Sequence, residues 1–206
     1  LIQNPDSFQA EVLDSLHQLI QKGEIISLER LFKGDKSALV IFGPKEILEQ
    51  FNNLNLLELE DYTGIKIKDL AAWELVVREH QGVMSHIFKQ MPELEIQEQF
   101  WWQIVLQASS KNYFANLMDR LKGIQLPSKD KVYQAQVRAI LVVPSEQRRN
   151  KLRVLLENLG DNLIKIPRPF ISEQIFEFYT SRSFTPANFG VSILNSTEIL
   201  ALLGKR

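Results

Sequence analysis

Two hydrophobic periods alternate along the first part of the chain, and they restrict the fold to one that mixes helices with a sheet. Apolar residues recur at helical spacing over residues 4–23 and 44–52. Segments with the length and patterning of strands cover residues 24–32, 38–42 and 54–62. The order helix–strand–strand–helix–strand is most of a ferredoxin-like split βαβ unit, whose first strand would lie just before Leu1.

The rest of the chain predicts a second unit of the same general kind. The predicted strands cover residues 99–108, 132–143 and 191–194. The predicted helices cover residues 69–90, 113–122, 145–159 and 171–179, and Asn195 with Glu198 forms a capping box before a last helix. We therefore expect an α+β fold of two ferredoxin-like modules, with mixed or antiparallel sheets flanked by helices. The first module is residues 1–66, and residues 67–206 form the second with its C-terminal helices.

Composition excludes several classes of function. Hydrophobic residues make up 45 % of the 206 residues and charged residues 24 %, which is enough to bury a core. The net charge of −1 argues against a strongly basic nucleic-acid binder. The absence of cysteine excludes disulfide frameworks, zinc ribbons and thiol catalysis. No apolar run approaches the roughly 20 residues of a membrane span. Because the chain starts at Leu1, we expect it to be a piece of a longer protein.

The ionisable residues predict no catalytic, cofactor or metal site. Glu58 and Glu60 share one face of a predicted strand, next to Asp61, where they would form either a general acid–base pair or the solvated face of an edge strand. We favour the solvated face. His80 and His86 are six residues apart, unlike the i,i+4 spacing of a metal pair, and Gly204-Lys205 lacks the first glycine of a phosphate loop.

Two features are candidate partner-binding residues. Trp101 and Trp102 are adjacent in a predicted strand and so point to opposite faces. One would lie in the core, and the other would cover a module interface or a partner site, unless both faces are packed. Arg148, Arg149 and Arg153 form a basic stripe on one predicted helix, which is either a solvated face or a contact for nucleic acid or an acidic partner.

Three stretches together resemble the N-terminal, pre-motor region of bacterial conjugative-type ATPases, the type IV secretion and DNA-transfer family. The stretches are Ala38-Leu-Val-Ile-Phe-Gly-Pro-Lys45 with Leu57-Glu-Leu-Glu-Asp-Tyr62, then Phe100-Trp-Trp-Gln-Ile-Val-Leu-Gln107, and lastly Phe176-Glu-Phe-Tyr-Thr-Ser-Arg-Ser-Phe184 with Ile193-Leu-Asn-Ser-Thr-Glu-Ile-Leu-Ala201. The last motif departs from the family pattern, since Ile199 replaces its second acidic residue.

The resemblance implies a non-catalytic, cytoplasmic docking domain at the inner face of the membrane, without a cofactor. Its partners would be protein subunits of a secretion or transfer machine, or neighbouring copies in a homo-oligomer, and a motor would follow Arg206. Two other hypotheses stay open. One is a nucleic-acid-binding module that uses the Arg148–Arg153 helix. The other is a small enzyme on a ferredoxin-like scaffold, which would need a pocket of convergent polar groups.

Overall fold

The computed structural model describes residues 1–20, 23–77, 92–109, 131–157, 163–165, 171–185 and 190–204. The strands are β1 (Ile25–Lys33), β2 (Lys36–Phe42), β3 (Leu70–Val77), β4 (Gln99–Ala108), β5 (Val132–Val142), β6 (Leu163–Lys165) and β7 (Ser192–Asn195). The α-helices are α1 (Ala10–Leu19), α2 (Lys45–Leu48), α3 (Glu146–Glu157), α4 (Ser172–Thr180) and α5 (Ser196–Leu202). Short 3₁₀ turns cover Pro5–Ser7, Asn52–Leu54 and Ile67–Asp69.

The seven described strands form one sheet in which every pairing is antiparallel. Their order is β2-β1-β4-β5-β3-β6. Strands β3 and β7 share the edge of β5 that lies opposite β4. Strand β3 pairs with the second half of β5, and β7 pairs with the first half. The outer strand β2 joins β1 through the two-residue turn Gly34-Asp35, where Gly34 adopts a left-handed φ of 56°.

Both faces of the sheet are covered, which gives the chain two apolar clusters. Helices α1, α3 and α5 pack on one face, where residues such as Leu16, Leu152 and Ile199 meet alternate residues of the strands. Helix α4 packs on the opposite face through Ile175, Phe176 and Tyr179. The strands therefore lie in the middle of three layers.

Most predicted elements after residue 98 are present, but two earlier ones are wrong. Residues 70–77 were expected in a helix and form β3 instead. Its residues are buried on both faces, so they lack the alternation that marks a half-exposed strand. Residues 55–66 form no strand, and only Leu56 makes a bridge, to Ile2. The predicted helix at 113–122 and the remainder of the one at 69–90 lie outside the described residues.

The mixed α and β class is confirmed, and the ferredoxin-like modules are not. Strand β1, from the first predicted module, pairs along its length with β4 from the second. Strands from residues 1–66 and from residues 67–206 therefore share one sheet, and the division of the chain into two modules stays a prediction.

Candidate functional site

A groove runs beside β2, the outermost strand of the sheet, and residues 55–62 form its other wall. Its volume is about 830 Å3. Four exposed apolar side chains line it: Phe42 is 49 % exposed, Leu56 36 %, Leu57 50 % and Leu59 40 %. Large apolar side chains gathered around one concave surface are a common mark of an interaction site.

The first two residues of the chain show how this groove is built. Leu1 and Leu57 exchange both backbone hydrogen bonds, of 2.7 and 2.9 Å. The N–H of Ile2 donates to the carbonyl of Leu39 on β2, at 2.9 Å. Leu1–Ile2 is thus a short extended segment held between β2 and residues 56–57, and Leu1 lines the groove.

The predicted carboxylates Glu58, Glu60 and Asp61 line the groove, although the predicted strand that would carry them is absent. All three are exposed. Asp61 accepts hydrogen bonds from the backbone N–H and the hydroxyl of Thr63, at 2.9 and 2.6 Å. These bonds hold the pKa of the Asp61 carboxyl below its usual value. The wall formed by residues 58–61 is therefore acidic.

Arg182 stands where the groove meets the interior. Its guanidinium lies over the ring of Phe42, 4.4 Å from the ring centroid. Its Nε donates to Oε1 of Glu29 at 3.2 Å, and its Nη1 donates to the carbonyl of Thr180 at 3.0 Å. Arg182 has a left-handed φ of 52°, which turns the chain just after α4.

Glu29 is fully buried on β1, directly below Arg182, and its carboxylate accepts hydrogen bonds from several side chains. Tyr62, at the end of the groove, donates to Oε2, and Tyr179 of α4 donates to the same oxygen at 3.4 Å. Burial and the Glu29 charge raise the pKa of the Tyr179 hydroxyl well above its ordinary value. Glu29 therefore ties α4 and the groove wall to the sheet.

Glu29 begins a row of polar side chains that crosses the middle of the sheet. Glu29, Gln103, Arg138 and Glu74 occupy directly opposed positions on β1, β4, β5 and β3. All four are buried. Gln103 donates to Glu29 at 3.0 Å and accepts from Arg138 at 3.2 Å, and Arg138 pairs with Glu74 at 3.3 Å. We refer to these four residues as the polar row.

The polar row also holds the C-terminal end of α4. Arg138 Nη1 donates to the carbonyl of Phe178 at 2.9 Å, and Gln103 Nε2 donates to that of Tyr179 at 3.0 Å. The same two carbonyls also accept from the N–H groups of Ser183 and Arg182, at 3.2 and 3.1 Å, so the side chains of the row add a second hydrogen bond to each. Arg138 donates to the carbonyl of Ser183 as well, at 2.6 Å, which fixes the segment that carries Arg182.

Burial sets the titration of the Arg138–Glu74 pair. Burial lowers the pKa of the Arg138 guanidinium to about 10, against the opposing effect of Glu74. Burial also raises the pKa of the Glu74 carboxyl, an effect that Arg138 partly offsets.

Sequence reasoning missed the polar row. Its signal was the presence of a polar residue within each of four largely apolar strands, and pairing register is needed to bring the four together.

The structure places both predicted tryptophans in the interior, on opposite faces of β4. Trp101 lies in the cluster below α4, where its ring stacks on Phe176 and Tyr179 and meets Tyr62 edge-on. Trp102 lies in the cluster below the other helices. Both side chains are almost completely buried, so this strand is packed on both faces.

The three predicted arginines lie on α3, and the structure separates their roles. Arg148 makes an ion pair with the buried Glu98 at 3.1 Å and donates to the carbonyl of Glu93 at 2.8 Å. The hydrogen bond to Glu98 raises the pKa of Arg148. Arg149 donates to the carbonyl of Val143 at 2.5 Å, and Arg153 is half-buried. The guanidinium groups of Arg148 and Arg149 are thus bound to the protein itself.

His17 is the histidine that lies within the described residues, and it contacts β5. Its Nε2 lies 2.9 Å from the carbonyl of Val132, and its ring meets Tyr133 edge-on. His80 and His86 lie outside the described residues. Within the described part of the chain, no group of three or more His, Asp or Glu side chains is placed to hold a metal ion.

Comparison of the chain with protein-family models and with curated proteins finds no match. None of the helices in the described ranges is long and apolar enough to cross a membrane.

Proposed function

We propose that this chain is a non-catalytic docking module that binds a segment of another protein in the groove between β2 and residues 55–62. The observation that carries the proposal is the groove itself. It is open, has a volume of about 830 Å3, and has Phe42, Leu57 and Leu59 exposed along it. Removing exposed apolar side chains from water on binding supplies the main favourable free energy of association.

The construction of the groove supports a binding role. Arg182 and Tyr62 at its inner end are fixed through Glu29, which is itself part of the polar row. A surface held by buried hydrogen bonds loses little conformational entropy when a partner binds. The buried charges of the row are engaged with one another and with α4, so their arrangement supports a positioning role.

The same class of function is implied by the resemblance to the pre-motor region of conjugative-type ATPases. On that proposal the module would dock a secretion or transfer ATPase onto membrane subunits or neighbouring protomers. A nucleic-acid contact through α3 receives less support, because Arg148 and Arg149 already donate to Glu98 and to the Val143 carbonyl.

A peptide-display selection on the immobilised chain tests the docking role. Sequences selected on the unmodified protein are then measured on a variant that carries Leu57→Glu and Leu59→Glu, which places charge on the apolar wall. Leu155→Glu is the matched control, since Leu155 is 44 % exposed on α3, which packs on β3 and β5.

We expect selected peptides to bind the unmodified protein and the control variant equally. They should lose at least about ten-fold in affinity on the groove variant, a change that corresponds to about 1.4 kcal/mol. Selected peptides that bind all three proteins alike, or a selection that yields no binder, would contradict the proposal. Circular dichroism of each variant checks that the fold is retained.

A further inference from the structure

We propose that residues 171–185, which contain α4, form a cover that opens from the sheet as one unit while the rest of the fold stays intact. The polar row is the latch that holds this cover closed. Three features of the molecule lead to this device: the residues that the sheet presents to the cover, the bonds that hold the cover, and the contrast with the opposite face of the sheet.

The two faces of the sheet differ at the level of the polar row. Next to each residue of the row, along its strand, lies a residue that points to the other face. These neighbours form a second row across the same four strands, and all of them are apolar and buried: Leu28, Ile104, Val137 and Leu75. At this level the helices of the other face cover apolar side chains, whereas residues 171–185 cover charged and amide groups.

The C-terminal half of the cover is attached to the sheet through hydrogen bonds. The polar row donates to the last carbonyls of α4 and pairs with Arg182 of the cover. Beyond Arg182, the side chain of Gln136 on β5 exchanges two bonds with Thr185. Its Oε1 accepts from the N–H of Thr185 at 2.8 Å, and its Nε2 donates to the hydroxyl at 2.7 Å. Water can replace each of these contacts when the cover lifts.

The apolar attachment of the cover comes from one helix. Among the described residues, the cover buries Ile175, Phe176 and Tyr179 of α4 against strand residues such as Trp101 and Ile140. The opposite face instead carries a larger cluster, to which α1, α3 and α5 all contribute. The apolar surface exposed when the cover lifts is therefore confined to the cluster below α4, and the main core stays closed.

The buried charges make this opening less costly than the opening of an apolar face. An ion in the interior has lost its hydration, and it regains that hydration when the element above it moves away. Hydration of Glu29, Arg138 and Glu74 therefore offsets part of the free energy that is lost with the contacts of the cover. The row thus supports two arrangements, a closed one in which its groups bond to the cover and an open one in which water solvates them.

Arg182 links the cover to the groove. It lies within the cover, and its guanidinium lies 4.4 Å from the centroid of the Phe42 ring. Opening carries Arg182 away from Phe42 and from Glu29, so the closed cover forms the inner end of the groove and the open cover removes it. This last step rests on the proposed docking function, which the peptide selection tests separately, whereas the opening itself does not.

Thiol labelling of the full chain tests the cover, since the sequence contains no cysteine. Ile140→Cys places a thiol on β5 beneath the cover, and Ile104→Cys places one on β4 beneath the helices of the other face. Both positions are 0 % exposed, and the two variants lose the same side chain, so they leave voids of similar size.

Under native conditions we expect Ile140→Cys to react with a water-soluble thiol reagent at least about ten-fold faster than Ile104→Cys. In urea that unfolds the chain, both should react at the same rate. Equal rates under native conditions, or a faster reaction of Ile104→Cys, would overturn the inference.

Breaking the latch should accelerate the labelling beneath the cover alone. Arg182→Gln removes the ion pair with Glu29, so it should raise the labelling rate of Ile140→Cys and leave that of Ile104→Cys unchanged. Lys151→Gln, at an exposed position on α3, is the control and should change neither rate. Equal acceleration of both thiols by Arg182→Gln would mean that the whole fold is loosened, and the cover would be wrong.

Native-state hydrogen exchange tests the single unit on the unmodified chain, without any substitution. The amides of Ile175 and Ser181 bond to carbonyls one turn earlier, at 3.1 and 3.0 Å. As denaturant is added, both should exchange through one opening with the same free energy, below that of the Ile104 amide on β4. Separate opening free energies for the two amides, or exchange of both only through global unfolding, would contradict a cover that opens as one unit.

Discussion

Glu29 and Arg138 carry opposite charges two strands apart in the buried polar row, and a single amide joins them. Gln103, on the strand between them, donates to the carboxylate of Glu29 and accepts from the guanidinium of Arg138. Its amide group is thereby fixed in one orientation. The groove wall and the end of α4 are attached to this row, so its integrity decides the shape of the candidate site.

Replacing Arg138 with methionine should strongly destabilise the protein. The variant leaves Glu74 buried without its cation and removes the hydrogen bonds of Arg138 to the carbonyls of Phe178 and Ser183. Breaking a buried ion pair in this way costs about 3–5 kcal/mol. Urea unfolding measures the loss, and Lys151→Met, at an exposed position on α3, is the control.

A double substitution separates the ion pair from the helix contacts. Adding Glu74→Leu to Arg138→Met removes the unpaired carboxylate and should recover part of the lost free energy of unfolding. If the double variant is no more stable than Arg138→Met, the cost lies in the lost hydrogen bonds of Arg138 to the Phe178 and Ser183 carbonyls, and the ion pair itself contributes little.

His17 should make the free energy of unfolding depend on pH. Burial lowers the pKa of this imidazole from 6.5, so the unfolded chain binds the proton more readily than the folded one. The stability contributed by neutral His17 is fully present above pH 6.5 and is lost as the pH falls from there through the folded-state pKa. Denaturant unfolding over this range should show the decline, and it should be smaller in His17→Gln. Identical curves for both proteins would exclude this role.

The turn between β1 and β2 gives a test of backbone strain. Gly34 has a left-handed φ of 56°, and a Cβ there would lie 3.3 Å from Cα of Ile96. Gly34→Ala should therefore cost about 1–2 kcal/mol. Gly64→Ala is the matched control, since a Cβ at Gly64 meets nothing within 4 Å. Thermal unfolding distinguishes the two, and an equal effect of both would contradict this explanation.

The capping box of α5 should contribute more to the free energy of unfolding than the N-terminal cap of α3. The side chain of Asn195 accepts from the N–H of Glu198 at 2.9 Å, and the carboxylate of Glu198 accepts from the N–H of Asn195 at 2.7 Å. The corresponding bond from Arg148 to Ser145 is 3.4 Å long. We expect Asn195→Ala to cost about 1 kcal/mol and Ser145→Ala less, as measured by urea unfolding. A larger loss of stability in Ser145→Ala than in Asn195→Ala would show that the length of the capping hydrogen bond does not decide its contribution.

Local sequence patterns predicted the helices and strands that have clear boundary signals or a clear hydrophobic periodicity. The bounds of β4 match the predicted 99–108, and the β1–β2 hairpin and the Asn195 cap are confirmed. Strand β3 was missed because Leu70 and Trp73 are buried on opposite faces, and a strand apolar on both faces resembles a buried helix.

The candidate site was less accessible to sequence reasoning than the fold. Glu58, Glu60 and Asp61 were identified as an acidic cluster, but the groove beside them depends on β2 being the edge strand. The polar row depends on register across four strands, which joins residues as distant as Glu29 and Arg138. Such long-range pairing is not encoded in any single segment.

Arg182 should couple the buried row to the groove, and a double-mutant cycle measures that coupling. Arg182→Met removes the cation from the buried carboxylate of Glu29 and from the ring of Phe42, which should cost about 1–3 kcal/mol. In a Glu29→Gln background the carboxylate charge is gone, so the same substitution should cost less. Arg182→Lys keeps the charge and should recover part of the loss without restoring the planar contact with Phe42. Equal costs of Arg182→Met in both backgrounds would mean that Arg182 acts through Phe42 and the Thr180 carbonyl, and that the groove is held independently of the polar row.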